Sequence, residues 1–496
     1  MTADVRSPVD PARVLDAAIA ALNNPGARLP LEDIARALEL APNDPRLWHV
    51  KGLIHRQQEQ RELAVPALLR AAELAPQEPL IALGYARTSL EAGLPSVDAF
   101  ARAIKLNPGK PEVIRGLVSA LLAERRVDDA ISGLELSLSR SPTWAEGHSL
   151  LARLRWIEGE RVGFARSFEH ALAQYPKSVE LWSDWLEALL QAEQLDEVLH
   201  RVEQGRAALG DLPMFALNEA IAHAELGHTD VADRLFDRFV DTPAGPIQVR
   251  RVRHLLRSGR ADQATALIEQ WLDTPEGFMF WPYASIAWRM TDQARWEWLE
   301  GDDRFVGVFD IADRLPPLDQ LADFLRQLHT TSGQPLEQSL RGGTQTDGHL
   351  FQRIEPIIVH MREAIGSAVA EYIANLPPPD ARHPLLSPPR DRIEFAGAWS
   401  VRLSGGGHHA NHVHPEGWIS SALYLALPPD IGRGDAGILT LGESTAPNFP
   451  IDLPPSRMVE PRPGRLVLFP SWMWHGTRPF GEGERLTVAF DVARPA

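Results

Sequence analysis

The first half of the chain carries a helical pattern of apolar residues that proline interrupts at nearly constant intervals. Successive prolines of this pattern are 34, 32, 34 and 34 residues apart, at Pro42, Pro76, Pro108, Pro142 and Pro176. Each closes a phrase with helical spacing of apolar residues, such as LELAP or AELAP. Because proline lacks an amide donor and clashes with the preceding turn, it ends a helix. The pattern therefore predicts a series of repeated helical units.

Small residues recur at fixed places inside the units. In one unit, Gly52 and Ala64 stand where two antiparallel helices have to approach closely, and Ala71 stands where the unit has to approach the next one. This pattern resembles tetratricopeptide repeats, a family whose helix pairs stack into a right-handed superhelix with a groove that often binds peptides. Five units are clear from about residue 43 to residue 210, and two degenerate units continue to about residue 275. Such repeats predict an interaction surface and no particular activity.

The pattern changes after the repeats. Aromatic residues crowd a transition segment, where we expect them to pack the last repeat against the next domain. Two helical stretches follow, and a polar, glycine-rich loop, SLRGGTQTDGHL, is expected between them. Beyond a proline-rich stretch, short runs rich in β-branched and aromatic residues alternate with polar positions: RIEFAGAWSVRLS, WISSALYLAL, GILTL, GRLVLFP and RLTVAFDVA. Short strands between glycine and proline turns are typical of a sandwich or barrel.

The pattern as a whole predicts a multidomain chain. An N-terminal all-α tetratricopeptide superhelix is expected over residues 1–275, and the transition segment over 276–317. A double-stranded β-helix (jelly roll) domain with supporting helices is expected over 318–496. The length of 496 residues agrees with more than one domain, because single hydrophobic cores rarely grow that large.

Composition narrows the class of protein. The apolar content of 44% and the charged content of 23% are typical of a folded, soluble chain. The net charge of −16 argues against a nucleic-acid partner, since such binding depends on clustered Lys and Arg. The chain has no cysteine, which rules out disulfides and thiolate metal sites and fits a reducing compartment. Without a signal-peptide pattern or a membrane-spanning apolar run, the sequence predicts a cytoplasmic protein with no membrane partner.

Histidines concentrate near the C-terminal end. The segment GGGHHANHVHP holds four of the 17 histidines within seven positions. In an extended chain, His412 and His414 face the same side and can aim at one point. A further histidine, His475, follows the run GRLVLFP, and Arg485 and Thr487 share one face of the next run. Imidazole is the most common metal ligand in a chain without thiolates, so the cluster indicates a metal site.

The order of these residues resembles the Fe(II)- and 2-oxoglutarate-dependent oxygenases, in particular the prolyl-hydroxylase-like branch and oxygenases attached to tetratricopeptide repeats. The resemblance implies that His412 and His475 bind Fe(II). It also implies that Arg485 and Thr487 hold the far carboxylate of 2-oxoglutarate, which a planar guanidinium meets with two parallel hydrogen bonds. Tyr424 matches a position from which a phenol contacts the cosubstrate, and it fits a strand core equally well. No catalytic residue beyond these ligands is implied.

One position departs from the family pattern. The usual ligand set is two histidines and a carboxylate, in the order His-x-Asp or His-x-Glu, and here His414 stands in the carboxylate's place. We expect His414 to be the third metal ligand. Two alternatives stay open: Glu416 supplies the carboxylate, or the domain binds no metal and is inactive. His408 and His409 are expected in the loop around the site.

The sequence therefore predicts a non-haem Fe(II), 2-oxoglutarate-dependent dioxygenase that hydroxylates a peptide or protein side chain recruited by the repeats. Two other classes of protein remain. A cupin-type dioxygenase with three histidines would keep metal binding and oxygen uptake without Arg485. An inactive scaffold of repeats and jelly roll would have neither a metal nor turnover.

Overall fold

The computed structural model describes residues 10–24, 27–336, 339–429, 431, 433–444, 449 and 451–495. They form two compact units. The first contains the described part of Met1–Gly133 together with Asp347–Val359. The second contains the described parts of Leu134–Thr346 and His360–Ala496. A short segment from the C-terminal half of the chain thus belongs to the first unit, while the domain boundaries expected from the sequence pattern stay a prediction.

The described N-terminal part of the chain is helical. Its helices are α1 (Pro11–Leu22), α2 (Leu31–Leu40), α3 (Pro45–Gln57), α4 (Arg61–Leu74), α5 (Pro79–Glu91), α6 (Val97–Leu106), α7 (Pro111–Ala123), α8 (Val127–Arg140), α9 (Ala145–Ile157), α10 (Arg166–Gln174), α11 (Val179–Gln191), α12 (Leu195–Leu209), α13 (Pro213–Glu225), α14 (Thr229–Phe236), α15 (Gly245–Arg257), α16 (Ala261–Glu269), α17 (Trp281–Thr291) and α18 (Gln293–Glu300). From α3 to α16 they follow one another in pairs that match the five clear and two degenerate repeats in order, which confirms the predicted helical array. No helix in the described ranges has the length and apolar character needed to cross a membrane.

Small residues at the predicted positions let the helices of a repeat pack closely. A Cβ atom on Gly52 would lie 2.5 Å from Cγ of Leu68, so a larger residue on α3 would force Leu68 on α4 to shift. Ala64 and Ala71 on α4 are completely buried. Gly52 and Ala64 thus lie at positions expected for the contact between paired helices, while Ala71 packs in one cluster with Ile81 of the next repeat.

A hydrogen bond from tryptophan to the carbonyl oxygen of a repeat proline occurs in two of the repeats. Trp48 donates from Nε1 to the carbonyl oxygen of Pro42 at 2.8 Å, and Trp182 does the same to Pro176 at 2.9 Å. In both repeats the tryptophan lies on the helix that follows the proline. Because a carbonyl at the end of a helix has no partner within the helix, this bond satisfies a group that would otherwise be left open.

The aromatic residues of the transition segment pack within the second unit. The ring centroid of Trp281 lies 6.1 Å from that of Trp288 and 6.2 Å from that of Trp298. Trp474, next to a predicted metal ligand, donates from Nε1 to the carbonyl oxygen of Pro282 at 2.8 Å. These contacts pack α17 with α18 and join α17 to the strand region, while packing of the last repeat against the next domain stays a prediction.

The C-terminal part combines two α-helices with short strands. They are β1 (Gly307–Asp310), α19 (Leu318–Leu328), β2 (Leu340–Gln345), α20 (Pro356–Asn375), β3 (Phe395–His409), β4 (Gly417–Ala426), β5 (Leu439–Leu441), β6 (Arg457–Val459), β7 (Arg465–Pro470), β8 (His475–Thr477) and β9 (Arg485–Ala493). One antiparallel sheet has the strand order β1-β7-β4-β9-β3-β2, and a smaller one has the order β6-β5-β8. Tyr424, Leu441 and Phe469 from the two sheets belong to one buried cluster. The predicted fold class, helices followed by an antiparallel β domain, is confirmed.

The prediction of a loop for the glycine-rich segment SLRGGTQTDGHL is wrong in part, because this segment contains β2. This edge strand pairs with β3, with Thr344 opposite Arg402. A Cβ atom on Gly343 would lie 2.3 Å from the carbonyl oxygen of Arg402, so the glycine permits a close approach of the two backbones. Pairing with a long neighbouring strand therefore outweighs the low strand propensity of the segment.

The segment Asp347–Val359 packs on repeat residues of the first unit. The amide of Ile354 donates to the carbonyl oxygen of Ala92 at 3.3 Å, and Arg353 donates from Nη2 to that of Gly93 at 3.4 Å. Burial raises the pKa of Asp347, and a hydrogen bond from Ser119 opposes this rise. The segment therefore covers repeat surface at the C-terminal end of α5.

Candidate metal centre

Three histidines converge in the second unit. His412 and His414 lie between β3 and β4, and His475 begins β8. One ring nitrogen of each lies within 4.8 Å of those of the other two. The backbone fixes two of them, because the amide of His412 donates to His475 at 2.9 Å and the amide of His475 donates back at 3.0 Å. The structure thus brings together the three residues predicted as metal ligands.

Hydrogen bonds set the orientation of the His412 and His475 rings. Nδ1 of His412 lies 2.9 Å from the carbonyl oxygen of Ala410, and Nδ1 of His475 lies 2.9 Å from that of Met473. A carbonyl oxygen can only accept, so Nδ1 carries the proton in both rings. The Nε2 atoms are left with a free lone pair, which is what a metal ligand needs.

His414 is oriented by a carboxylate instead of a carbonyl. Its Nδ1 lies 2.9 and 2.8 Å from the two carboxylate oxygens of Asp491, so Nε2 is again the free nitrogen. Burial lowers the pKa of His412 and His475 well below the usual value, and neighbouring histidines lower it further. Since neutral imidazole is the form that binds a metal ion, this set of donors fits a divalent cation.

Arg485 and Tyr424 form a buried polar pair on adjacent strands. The guanidinium carbon of Arg485 lies 5.0 Å from the centre of the Tyr424 ring, and the two residues are 2% and 0% exposed. Arg485 donates from Nη1 to the carbonyl oxygen of Gly437 at 3.2 Å. Its Nε and the Tyr424 hydroxyl make no hydrogen bond of normal geometry within the described part of the chain, although the charge of Arg485 acts on the hydroxyl and opposes the rise in its pKa. Thr487 lies opposite Tyr424 in the sheet. Buried donors without an acceptor fit an anionic group that would pair with them.

His409 connects this pair with the histidine group. Its ring lies 5.8 Å from that of His412, with an angle of 22° between the planes. Burial lowers the pKa of His409 to about 3, and the positive charge of Arg485 and the neighbouring His414 contribute to the shift. The partly buried His409 ring therefore packs beside the candidate ligand His412, and the charge of Arg485 in the same unit acts on it.

Other polar residues of this part of the sequence lie outside the group. Glu416, an alternative third ligand, is exposed and is not among the three converging side chains. Arg402 is also exposed and forms an ion pair with Glu484. His408 and His409 belong to the end of β3, where the sequence suggested a loop.

Two residues of the site were missed by the sequence reasoning. Asp491 accepts the hydrogen bond from His414, and the Ser420 hydroxyl lies 2.5 Å from Oδ1 of Asp491. A signal for Asp491 was present, because it is six residues after Arg485 in the same run. Alternate residues of a strand share a face, so Arg485, Thr487 and Asp491 share one side of β9. No comparable signal pointed to Ser420.

Comparison with known sequences adds a family to this geometry. Residues 397–491 match the family described as "Putative 2OG-Fe(II) oxygenase", a range that includes the three histidines, Arg485 and Asp491. Tetratricopeptide repeat protein 33 of Mus musculus is 28% identical over 108 residues, which cover 22% of this chain and 41% of the mouse protein. The chain thus spans less than half the length of this curated relative.

Two solved structures are similar to portions of this chain. A Pseudomonas putida prolyl-4-hydroxylase is 17% identical, with 39% of this chain and 94% of that chain covered and a TM-score of 0.26. Yeast Tom70 is 15% identical, with 58% of this chain and 66% of that chain covered and a TM-score of 0.35. Residues 397–491 are thus similar to the 2OG-Fe(II) oxygenase family, and a 108-residue stretch of the chain is similar to a tetratricopeptide-repeat protein.

Proposed function

We propose that the C-terminal domain is a non-haem Fe(II), 2-oxoglutarate-dependent dioxygenase that hydroxylates a peptide or protein side chain. The observation that carries this proposal is the combination of two features in one unit. Three histidines offer free Nε2 atoms at one point. In the same unit, Arg485 and Tyr424 keep buried polar atoms without a hydrogen-bond partner among the described residues.

His412, His414 and His475 would hold the metal. When bound, Fe(II) supplies the oxidising chemistry by activating dioxygen while 2-oxoglutarate is converted to succinate. His412 and His475 need not lose a proton before binding, because burial lowers the pKa of both well below its usual value. Their Nδ1 hydrogen bonds hold the rings in place, so the free nitrogens stay directed at one point.

Arg485 and Thr487 would bind the distal carboxylate of the cosubstrate. Arg485 is suited to this role, since a desolvated guanidinium pairs strongly with a carboxylate. Burial lowers the pKa of Arg485, which shows that its buried positive charge is unfavourable in the protein without ligand. A bound anion would offset this unfavourable free energy. Tyr424 would donate its hydroxyl proton to the same anion. Burial raises the pKa of Tyr424, which keeps its hydroxyl protonated as a donor at neutral pH.

Succinate release from Fe(II), 2-oxoglutarate and dioxygen tests the reaction class. We expect turnover by the unaltered chain and none by His475→Ala or Arg485→Ala. His200→Ala and Arg462→Ala, which alter exposed residues, serve as controls and should keep the activity. Oxygen uptake that persists in Arg485→Ala would instead favour the cupin-type reaction. Absence of both metal binding and turnover in the unaltered chain would favour the inactive scaffold.

The repeats are the proposed site of substrate recruitment. This part of the proposal rests on the helix pairs and on the general use of such repeats as interaction surfaces. Part of that surface, near Ala92 and Gly93, is covered by the chain's own segment Asp347–Val359. A library of extended peptides, incubated with the active protein and analysed for the mass of one added oxygen atom, tests the substrate class. Modification of free amino acids but of no peptide would contradict it.

A further inference from the structure

The third candidate ligand has a carboxylate behind it. His414 stands where the family places a carboxylate ligand, and the carboxylate of Asp491 lies 2.8 Å from the His414 Nδ1. We propose that Asp491 is a positioning residue that supplies, through His414, the negative charge that the missing carboxylate ligand would have given the metal. This inference rests on the proposed function, because it requires a metal ion at the three histidines.

The position of Asp491 is built by the sheet. Asp491 on β9 is directly opposite Ser420 on β4, and the Ser420 hydroxyl lies 2.5 Å from Oδ1 of Asp491. The Ser471 hydroxyl lies 2.9 Å from that of Ser420, and the carbonyl oxygen of Ser471 accepts from the amide of His414 at 2.9 Å. Because a hydroxyl has a single proton, Ser420 can donate to Asp491 while it accepts from Ser471. These bonds form a closed network that holds both Asp491 and His414.

The charge of Asp491 points to a cation beyond His414. Its side chain is 15% exposed, and within the described ranges its ion-pair partner is the His414 imidazole. A desolvated carboxylate is costly unless a positive charge is close. A divalent metal on the His414 Nε2 would provide that charge on the far side of the ring. A protonated His414 without a metal is the rival explanation, and the two predict opposite effects of removing the charge.

The pair also accounts for the departure from the usual ligand set. When a neutral histidine replaces a carboxylate ligand, the net charge of the metal together with its ligands becomes more positive by one unit. A carboxylate hydrogen-bonded to that histidine restores the balance and makes Nε2 a better donor. The ring of Trp399 also packs near His414, with 5.7 Å between the ring centroids. Asp491 thus sets both the charge and the orientation of the third ligand.

Metal binding without turnover tests this inference. Cobalt(II) alone is titrated into the unaltered protein, Asp491→Asn and His412→Ala, with calorimetry for affinity and visible absorption for ligand geometry. Asp491→Asn keeps the shape of the side chain and removes its charge. We expect about 10- to 100-fold weaker binding and an altered cobalt spectrum. Glu484→Gln is the matched control, because it also removes a partly buried, paired carboxylate beside β9 and should bind as the unaltered protein does.

Each other outcome has a distinct meaning. Binding by Asp491→Asn within about twofold of the unaltered protein, or tighter binding as the rival ion pair predicts, overturns the role of Asp491 and leaves the proposed metal site intact. No cobalt binding by the unaltered protein overturns the metal site and this inference together. Should Asp491→Asn fail to fold, Ser420→Ala replaces it, since it removes one donor to Asp491. That variant should weaken binding several-fold, and unchanged affinity would equally contradict the role.

Discussion

At the scale of single residues, the Tyr424 side chain could either fill the core or bind an anion, and the two roles predict different effects of removing its hydroxyl. Its hydroxyl is buried and makes no hydrogen bond within the described residues. A buried polar atom without a partner costs about 1–3 kcal/mol of stability. If Tyr424 only fills the core, its hydroxyl destabilises the fold without any compensation. If Tyr424 binds an anion, the hydrogen bond to that anion offsets the lost stability.

Tyr424→Phe separates the two meanings. Without ligands we expect the free energy of unfolding to rise by about 1 kcal/mol, since the unpaired hydroxyl is removed. We expect affinity for 2-oxoglutarate, measured by calorimetry with cobalt(II) in the site, to fall several-fold. Tyr372→Phe is the matched control, because the Tyr372 hydroxyl is buried but donates to Phe305 at 2.8 Å. It should lose stability and keep its affinity. Unchanged 2-oxoglutarate affinity in Tyr424→Phe would contradict a role at the site.

The sequence predicted those site residues that share one chemistry and stand in a recognisable order along the chain. His412, His414 and His475 were predicted to meet, and the fold brings them together. Asp491 was missed, because its meaning depends on which strand neighbours β9 and on the direction of the His414 ring. Both follow from pairing between residues far apart in the chain, which single-sequence spacing does not encode.

At the scale of elements, Gly93 and the segment Asp347–Val359 are linked. Gly93 ends the turn after α5 with a φ of +78°, a conformation that favours glycine. A Cβ atom at this position would also lie 2.5 Å from the guanidinium of Arg353. Gly93 therefore serves the repeat turn and the docked segment at the same time.

Gly93→Ala should loosen the segment. Both the backbone conformation and the contact with Arg353 are disturbed, so we expect faster amide hydrogen exchange over residues 349–356 and faster tryptic cleavage after Arg353. Gly109→Ala is a matched control: Gly109 has the same φ of +78°, but a Cβ there would meet nothing within 4 Å. Equal exchange in the segment for the two variants would show that Arg353 does not depend on the space at Gly93.

Elements with a strong local pattern were predictable, and elements defined by their partners were not. The repeat helices and the five longer runs of alternating residues appear where the sequence placed them. The sequence predicts a loop at β2, because glycines have a low strand propensity. The strand forms there through its pairing with β3. β8 has three residues, His-Gly-Thr, and unlike the equally short β5 it contains no apolar residue that could begin an alternating pattern.

At the scale of the whole molecule, buried neutral histidines make stability depend on pH. His383 accepts the amide proton of Leu385 at Nδ1 and lies 3.1 Å from the carbonyl oxygen of Leu299 through Nε2. Burial lowers its pKa from 6.5 to about 4. His329, between Thr344 and Ser400, is shifted to about 4 as well, mainly by burial. Protonating either ring would disrupt its surroundings.

The sign of the effect follows from the direction of these shifts. Because the folded pKa of His383 lies below the unfolded one, the unfolded chain takes up the proton first as pH falls. Stability is therefore full above about pH 6.5 and declines towards pH 4, by up to about 1.4 kcal/mol per pH unit for each such group. Urea unfolding between pH 7.5 and 4.5 measures this slope. His383→Gln should flatten it and the exposed-site variant His200→Gln should not; equal slopes for all three proteins would contradict the argument.

The central claim is that one domain of this chain binds Fe(II) and 2-oxoglutarate together. Anaerobic titration of the purified protein with both, followed by visible absorption, tests it most directly. We expect a weak metal-to-ligand charge-transfer band that needs both additions, disappears in His475→Ala and is lost or strongly weakened in Arg485→Ala. Failure of the unaltered protein to develop that band, under conditions in which it remains folded, would contradict the account.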